Sequence, residues 1–510
     1  MRILEVLLLA ALLPTLFSLF MAKPARPRWL RCLPALGLVL LALHLLTEGY
    51  RWQMVPAYAL TVLFLLSSAR TLMREKAIAG SSPHTPSASP WRTAVRITGA
   101  VLGILAFILA ALIPTVMPVF ELPEPTGPFR VGTTRFSLVD SARPETFTAD
   151  PSDRRELLIQ AWYPAESIEK SSPEQLWGHP REIADRMTRS LGLPGFLFDH
   201  FELIPTHSHR GAALAGNRST YPVLLFSHGY NQGIPPQNTV QMEELASHGY
   251  VVFSIGHSYE SLVLIHADGR TVAVSEERMR QVRDELAGSG ALIQQLLASR
   301  NSKERAELLR QVSEAGPLLN ESLRVWVADT RFVLDELDGL DGPKELRELA
   351  DRLDLARVGI FGMSFGGTAA TEVCLTDTRC QAGINLDGLQ IGASAQPGSA
   401  LNVPFMFMSN ESTSLMNEPV FGRAQDDVWL MTVAGSTHFN YSDFSLISPL
   451  FRKLGVLGSI DGARMEVILN TYIRAFFDRQ LLDRESPLLN GASAEFPEVS
   501  IQKRARAAGN

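Results

Sequence analysis

The run Arg357-Val358-Gly359-Ile360-Phe361-Gly362-Met363-Ser364-Phe365-Gly366-Gly367-Thr368-Ala369-Ala370 decides the fold. It opens as a short apolar strand, closes as the start of a helix, and carries Gly-x-Ser-x-Gly between them. A serine on a sharp strand-to-helix turn is the context of a nucleophile elbow. The turn strains the serine backbone and leaves no space for Cβ atoms beside it, which explains Gly362 and Gly366. The Ser364 hydroxyl then stands clear at the carboxyl edge of a sheet. The N-terminal end of the following helix faces the place where negative charge would develop.

Outward from this turn, short apolar runs alternate with helical patterns. Strands are expected at 130–139, 156–163, 222–227, 250–255, 358–362, 382–386, 403–408 and 428–433, with helices at 242–248 and 365–375. Continuous apolar strands alternating with helices predict a mostly parallel sheet covered on both faces. Residues 275–340 differ: they are charged and helical in period, with Leu292, Leu296, Leu297, Leu308 and Leu309 as apolar positions and Trp326 further on. The part at about 275–325 reads as a helical insertion, either a cap over the site or a solvated hairpin.

A serine hydroxyl is a weak nucleophile at neutral pH and needs a base. The one histidine after Ser364 is His438, on a loop after the strand at 428–433. The acid that orients it must lie between them in the chain. Asp387 and Glu411 both follow strands, and position alone does not separate them; Asp426 and Asp427 precede a strand, at the wrong end of the sheet. An oxyanion hole needs two backbone donors. Phe365 N–H, directly after the serine, is one, and Tyr230 N–H, in Ser227-His228-Gly229-Tyr230-Asn231-Gln232-Gly233, is the other.

These pieces together resemble the platelet-activating factor acetylhydrolase family of α/β-hydrolases, of the plasma and intracellular type II kind. The residues carrying the likeness are Gln160-Ala161-Trp162-Tyr163-Pro164, Phe226-Ser227-His228-Gly229, Leu245-Ala246-Ser247-His248-Gly249-Tyr250, the Ser364-Phe365-Gly366-Gly367 core, Gly383-Ile384-Asn385-Leu386-Asp387 and Gly435-Ser436-Thr437-His438. It extends over about 130–480. The resemblance implies an α/β-hydrolase fold with Ser364 as nucleophile, His438 as base and Asp387 rather than Glu411 as acid, with Tyr230 and Phe365 as oxyanion donors. It also implies hydrolysis of short or oxidised acyl chains on phospholipids. Such chemistry needs neither metal nor cofactor. The sequence departs from the family at Met363, where histidine is usual, and in the residues after Gly229. Dienelactone-type hydrolases, with a cysteine nucleophile, and polyester-cleaving esterases have similar cores.

The first 125 residues are of another kind. They carry 11 Lys/Arg against 5 Asp/Glu, whereas the remainder carries 36 against 48. Four charge-free apolar stretches lie at 6–22, 32–47, 52–69 and 97–120. A membrane-spanning helix takes roughly 17–25 residues, so a four-span region is expected over 1–125, ahead of a catalytic domain over 126–510. Lys23, Arg26, Arg28 and Arg31 crowd the first connection; Arg70, Arg74, Lys76, Arg92 and Arg96 dominate the third. The positive-inside rule makes both cytoplasmic and puts the catalytic part outside the cytoplasm. The Ser/Pro-rich 77–91 reads as a loop. A net charge of −6 offers no basic field for nucleic acid.

Among weaker features, His207-Ser208-His209 reads as an exposed polar loop rather than half a metal site. Cys374 and Cys380 suit either a disulfide or buried free thiols. Gly195-Phe196-Leu197-Phe198 with Phe201 suits either a core segment or a lipid-docking cluster. The expectation is a membrane-anchored serine ester hydrolase acting on lipid-like or small esters. Its alternative is a non-catalytic membrane sensor or scaffold that keeps a hydrolase fold for ligand binding.

Overall fold

The computed structural model describes residues 1–18, 21, 27–78, 90–169 and 171–506. The chain divides into two compact units. One gathers Met1–Phe120 with Asp199–Ile204 and Ile447–Leu450; the other contains the rest.

The larger unit is built on a twelve-stranded sheet. In spatial order its main path runs Val499–Arg504, Val428–Val433, Phe405–Ser409, Ala382–Leu386, Leu353–Met363, Tyr221–Ser227, Val251–His257, Arg154–Ser167, Arg130–Pro144, Pro205–Arg210 and Ser172–Gln175. The six strands from Val428–Val433 to Val251–His257 are mutually parallel. Both faces of these strands are buried, which is why their sequences read as unbroken apolar runs. Val223, Leu225, Ile360 and Phe407 face one core with the helices Pro317–Glu336 and Phe365–Thr376. Leu224, Phe226, Phe361 and Met408 face the other with Thr239–Ser247 and Gly462–Leu482. This is an α/β-hydrolase-like fold.

The chain enters the parallel block at Tyr221–Ser227, moves outward to Val251–His257, then returns to the opposite flank at Leu353–Met363. The order therefore reverses between Tyr221–Ser227 and Leu353–Met363. Ligands of open α/β sheets bind at the carboxyl ends of strands at such a reversal.

Three expectations change. The helices Glu276–Ala298 and Ser302–Glu314 form the expected helical insertion, but its proposed end near 325 cuts through Pro317–Glu336, which belongs to the sheet-covering layer. Leu296, Leu308 and Leu309 pack with Ala395 and Met416. Second, His207-Ser208-His209 is not an exposed loop: it lies in the strand Pro205–Arg210, paired with Val131–Thr133, and His207 Nε2 is 3.0 Å from the Leu122 carbonyl oxygen. Third, the two edge strands Ser172–Gln175 and Val499–Arg504, and Pro205–Arg210 next to the first of them, have no counterpart in the sequence reading, because none carries the apolar run that marks a strand buried on both faces. Cys374 and Cys380 form a disulfide.

In the smaller unit the four apolar stretches are helical: Ile3–Ser18, Leu33–Thr47, Val55–Ile78 and Pro90–Val116. Among the described residues, two segments are long and apolar enough to cross a membrane, Trp52–Met73 and Ile97–Val116, with 22 and 20 residues. The first two helices, of 16 and 15 residues, fall short, so the length criterion does not support four spans. Most of the expected 77–91 loop, residues 79–89, lies outside the described residues.

Three carboxylic acids, Glu243, Asp443 and Glu466, are buried in the larger unit. Asp443 accepts the Thr239 and Val240 N–H groups at 2.7 and 3.2 Å, and Glu466 accepts from Gln241 Nε2 at 2.6 Å. Glu243 accepts the Ser208 hydroxyl. Burial raises all three, Glu243 to about 7, and repulsion from Glu243 adds to Asp443 as that from Asp443 adds to Glu466. The unfolded chain releases these protons near pH 4, so between about pH 4 and 7 the native state holds more protons and its stability falls as pH rises. Glu466→Gln should therefore raise the melting temperature by about 2–4 °C at pH 8 and leave it unchanged at pH 4, as read by circular dichroism.

Candidate active site

Ser364 occupies the turn between Leu353–Met363 and Phe365–Thr376 with φ 57° and ψ −123°, a left-handed conformation that a non-glycine residue adopts only under constraint. The constraint is steric. A Cβ on Gly366 would overlap the Ser227 carbonyl, and one on Gly362 would overlap the Gly366 carbonyl. Only glycine lets the turn sit this close to the end of the neighbouring strand. The Ser364 N–H donates to the Leu386 carbonyl at 2.8 Å, and Ser364 O accepts from Thr368 N–H at 3.1 Å, which starts the helix.

His438 begins the 3₁₀ turn His438–Tyr441, directly after the strand Val428–Val433 and its loop. A capping box between Thr437 and Asn440 fixes this turn, and Asn440 Oδ1 also accepts the Gly458 N–H at 2.8 Å. The imidazole Nε2 lies 2.9 Å from Ser364 Oγ and Nδ1 lies 2.7 Å from Asp387 Oδ2. A carboxylate facing Nδ1 selects the tautomer with its proton there, leaving the Nε2 lone pair to the serine hydroxyl.

Asp387 is buried and likewise left-handed, with φ 56°. Its Oδ1 accepts the Asn410 backbone N–H at 2.8 Å and the Thr413 hydroxyl, while Asn410 Nδ2 reaches Oδ2 at 3.0 Å. Glu411, the alternative acid, is exposed. Asn410 and Thr413 escaped the sequence reading, which weighed only Glu411 between them. Their position just after a strand end was the available signal.

The amides of the loop after Tyr221–Ser227 differ in their partners. Gly229 N–H donates to Gln237 Oε1 at 2.8 Å, and Asn231 N–H donates to the Glu260 carbonyl at 2.9 Å. Tyr230 N–H, between them, has no acceptor among the described residues, nor has Phe365 N–H. A Cβ built on Gly229 would lie 3.4 Å from Ser364 Cβ, so the loop runs beside the serine.

Ser364 and His438 open into a cleft of about 530 Å³. Its lining is mainly apolar and includes Trp177, Ile183, Met187, Phe439, Phe444 and Phe451. No residue of 275–325 lines it.

Metal-type donors converge elsewhere. Glu5, His44 and Glu48 bring ligand atoms within 4.8 Å of one another, but Arg51 and Arg2 pair with Glu5, and Arg2 lies 3.6 Å from Glu48. Guanidinium groups already supply the positive charge that an ion would bring.

A family model described as platelet-activating factor acetylhydrolase, isoform II, matches residues 115–492. The platelet-activating factor acetylhydrolase of Cavia porcellus is 24% identical over 395 residues, spanning 74% of this chain and 84% of its own. A protein of Arthroderma benhamiae named "Probable 1-alkyl-2-acetylglycerophosphocholine esterase" is 23% identical over 432 residues, spanning 78% and 97%. Among solved structures, a ferulic acid esterase from Streptomyces cinnamoneus superposes with a TM-score of 0.57 at 26% identity, covering 75% of this chain and 99% of its own.

The packing at the elbow makes a direct prediction. Gly366→Ala drives a methyl into the Ser227 carbonyl and should cost about 3 kcal/mol of stability, whereas Gly398→Ala, with open space at its Cβ, should cost under about 1 kcal/mol. Urea denaturation of the two variants measures the difference.

Proposed function

Since this chain belongs to the platelet-activating factor acetylhydrolase, isoform II, family and is a carboxylic ester hydrolase, we propose that it works through Ser364, His438 and Asp387 by an acyl-enzyme mechanism. The observation that carries this reading is the continuous hydrogen-bonded line from Ser364 Oγ through His438 to Asp387, at 2.9 and 2.7 Å, opening onto the apolar cleft.

Ser364 Oγ attacks the ester carbonyl carbon while His438 Nε2 takes its proton. Asp387 holds the ring and stabilises the imidazolium, and its own partners Asn410 and Thr413 keep it from turning away. The carbonyl oxygen gains negative charge and is met by Tyr230 N–H and Phe365 N–H. The intermediate collapses, the C–O bond to the alcohol breaks, and His438 returns the proton to the leaving oxygen. Water then attacks the Ser364 ester with His438 again as base, releasing the acid. An apolar cleft favours an ester with a hydrocarbon portion, either a lipid or a small lipid-like molecule. No observation favours the non-catalytic sensor: a binding module has no need of a free amide pair beside an aligned serine and histidine.

We further propose that the helices before residue 120 anchor the protein in a membrane. Trp52–Met73 and Ile97–Val116 support this, since only 22% and 17% of their most apolar windows are buried, leaving leucine, isoleucine and valine side chains facing outward. The Cys374–Cys380 disulfide supports a catalytic unit outside the cytoplasm.

Ser364→Ala should lower hydrolysis of p-nitrophenyl acetate by at least about 10³-fold with an unchanged melting temperature, and a fluorophosphonate probe should label the wild type but not this variant. Retention of activity in Ser364→Ala would refute the mechanism. For the anchor, the full chain should stay in the membrane pellet through alkaline carbonate washing; release into the supernatant would refute it.

A further inference from the structure

Ser322, Trp326 and Asp329 stand at i, i+4 and i+7 on the helix Pro317–Glu336 and so share one face. All three are buried. On a helix packed against a sheet this face should be apolar, so a polar stripe there calls for partners. The partners include Glu260, Tyr230, His257 and Arg155.

Trp326 Nε1 donates to Glu260 Oε2 at 2.8 Å, and the Ser322 hydroxyl donates to Glu260 Oε1. Glu260 Oε1 also accepts the Tyr230 hydroxyl at 3.0 Å, and Ser322 Oγ lies 3.1 Å from the same hydroxyl. The Trp326 indole lies flat on the His257 ring at 3.8 Å and edge-on to Phe365 at 4.9 Å. Asp329 Oδ2 faces His257 Nδ1 at 2.8 Å and Arg155 Nη2 at 2.7 Å, and His257 Nε2 reaches Ser227 Oγ at 3.2 Å.

Ser227, His257 and Asp329 thus repeat a serine–histidine–aspartate line. They are not a second catalytic set, because all three are buried, Arg155 already neutralises Asp329, and none lines the cleft. The line ties down the base of the loop.

Glu260 grips the loop at two successive residues. Its carboxylate holds the Tyr230 side chain, and its carbonyl accepts Asn231 N–H. Gln237 holds Gly229 N–H from the other side. Tyr230 N–H, which lies between these two held amides, is therefore fixed on both flanks. We propose that Glu260, itself oriented by Ser322 and Trp326, is a positioning residue that aims the Tyr230 N–H at the carbonyl oxygen of the substrate. The proposal rests on the reading of Ser364 as nucleophile. A donor aids the transition state only if it needs no reorganisation as charge develops. A loop with glycines at 229 and 233 does not hold such an aim by itself.

The test uses the full chain and the variants Tyr230→Phe and Glu260→Gln. Each is assayed for kcat and KM with p-nitrophenyl acetate and for inhibition by phenylboronic acid, whose tetrahedral serine adduct puts an oxygen where the two amides converge. Both variants should lower kcat about tenfold or more with KM within about twofold, and weaken boronate inhibition by a similar factor. Tyr230→Phe keeps the ring packing and covers the case in which Glu260→Gln fails to fold. A loss of folded protein lowers the rate but leaves the inhibition constant of the remaining enzyme unchanged. Wild-type boronate inhibition in both variants, with or without a lower rate, would therefore overturn the proposal. Activity in Ser364→Ala would instead sink the nucleophile reading on which it stands.

Discussion

The close approach of the Ser364 turn to the end of the strand Tyr221–Ser227 is the constraint on which the site depends. Gly366 lies against the Ser227 carbonyl, and Gly362 against the Gly366 carbonyl, with no space for a side chain at either position. Two consequences follow from that one contact. Ser364 is forced into a left-handed conformation that lifts its hydroxyl off the sheet, and the loop that begins at Ser227 is brought alongside it. Ser364 and the loop after Ser227 come together because their strands are neighbours where the strand order reverses, not because they are near in sequence.

Around this contact the polar groups fall into two shells with different physics. In front, Ser364 and His438 border the cleft, and His438 keeps 40% of its side chain exposed. The rear shell is dry. Burial, reinforced by the neighbouring His257, drives His228 down to about 3, and burial likewise lowers His257, so both rings are neutral at physiological pH. Burial opposes the charge on Asp329, but Arg155 and His257 outweigh it and hold the carboxylate ionised. Neutral rings and the Asp329–Arg155 ion pair make a rigid backing for the loop.

The smaller unit follows another solvent logic. Its helices bury Leu8, Leu12, Leu16, Leu60 and Phe64 in a common core, yet leave Val62, Leu63, Leu102, Leu105 and Leu109 on the outside. Polar groups concentrate near helix ends, where Arg2, Glu5, His44, Glu48 and Arg51 pair with one another. Apolar inside and outside, with charge confined to the ends, this arrangement is what supports the proposed membrane anchor. Length is the weaker half of that pattern in the first two helices.

Local chemistry was legible in the amino-acid string wherever one short stretch carries its own constraint. Gly-x-Ser-x-Gly between a strand and a helix announces a strained turn, unbroken apolar runs announce strands buried on both faces, and a lone histidine after the serine leaves little choice. The string could not separate Asp387 from Glu411 by position, since both follow strands; the fold separates them by burying one beside His438 and exposing the other. Nor could it reveal Glu260, Ser322 and Trp326 as one assembly, because 62 and 66 residues of chain lie between the carboxylate and its donors. The insertion seemed free to cover the cleft, and only packing shows its leucines committed elsewhere. The division has a physical cause: steric and periodic signals are written within a few residues, whereas hydrogen-bond partners and burial are properties of chain segments that meet only after the sheet has formed.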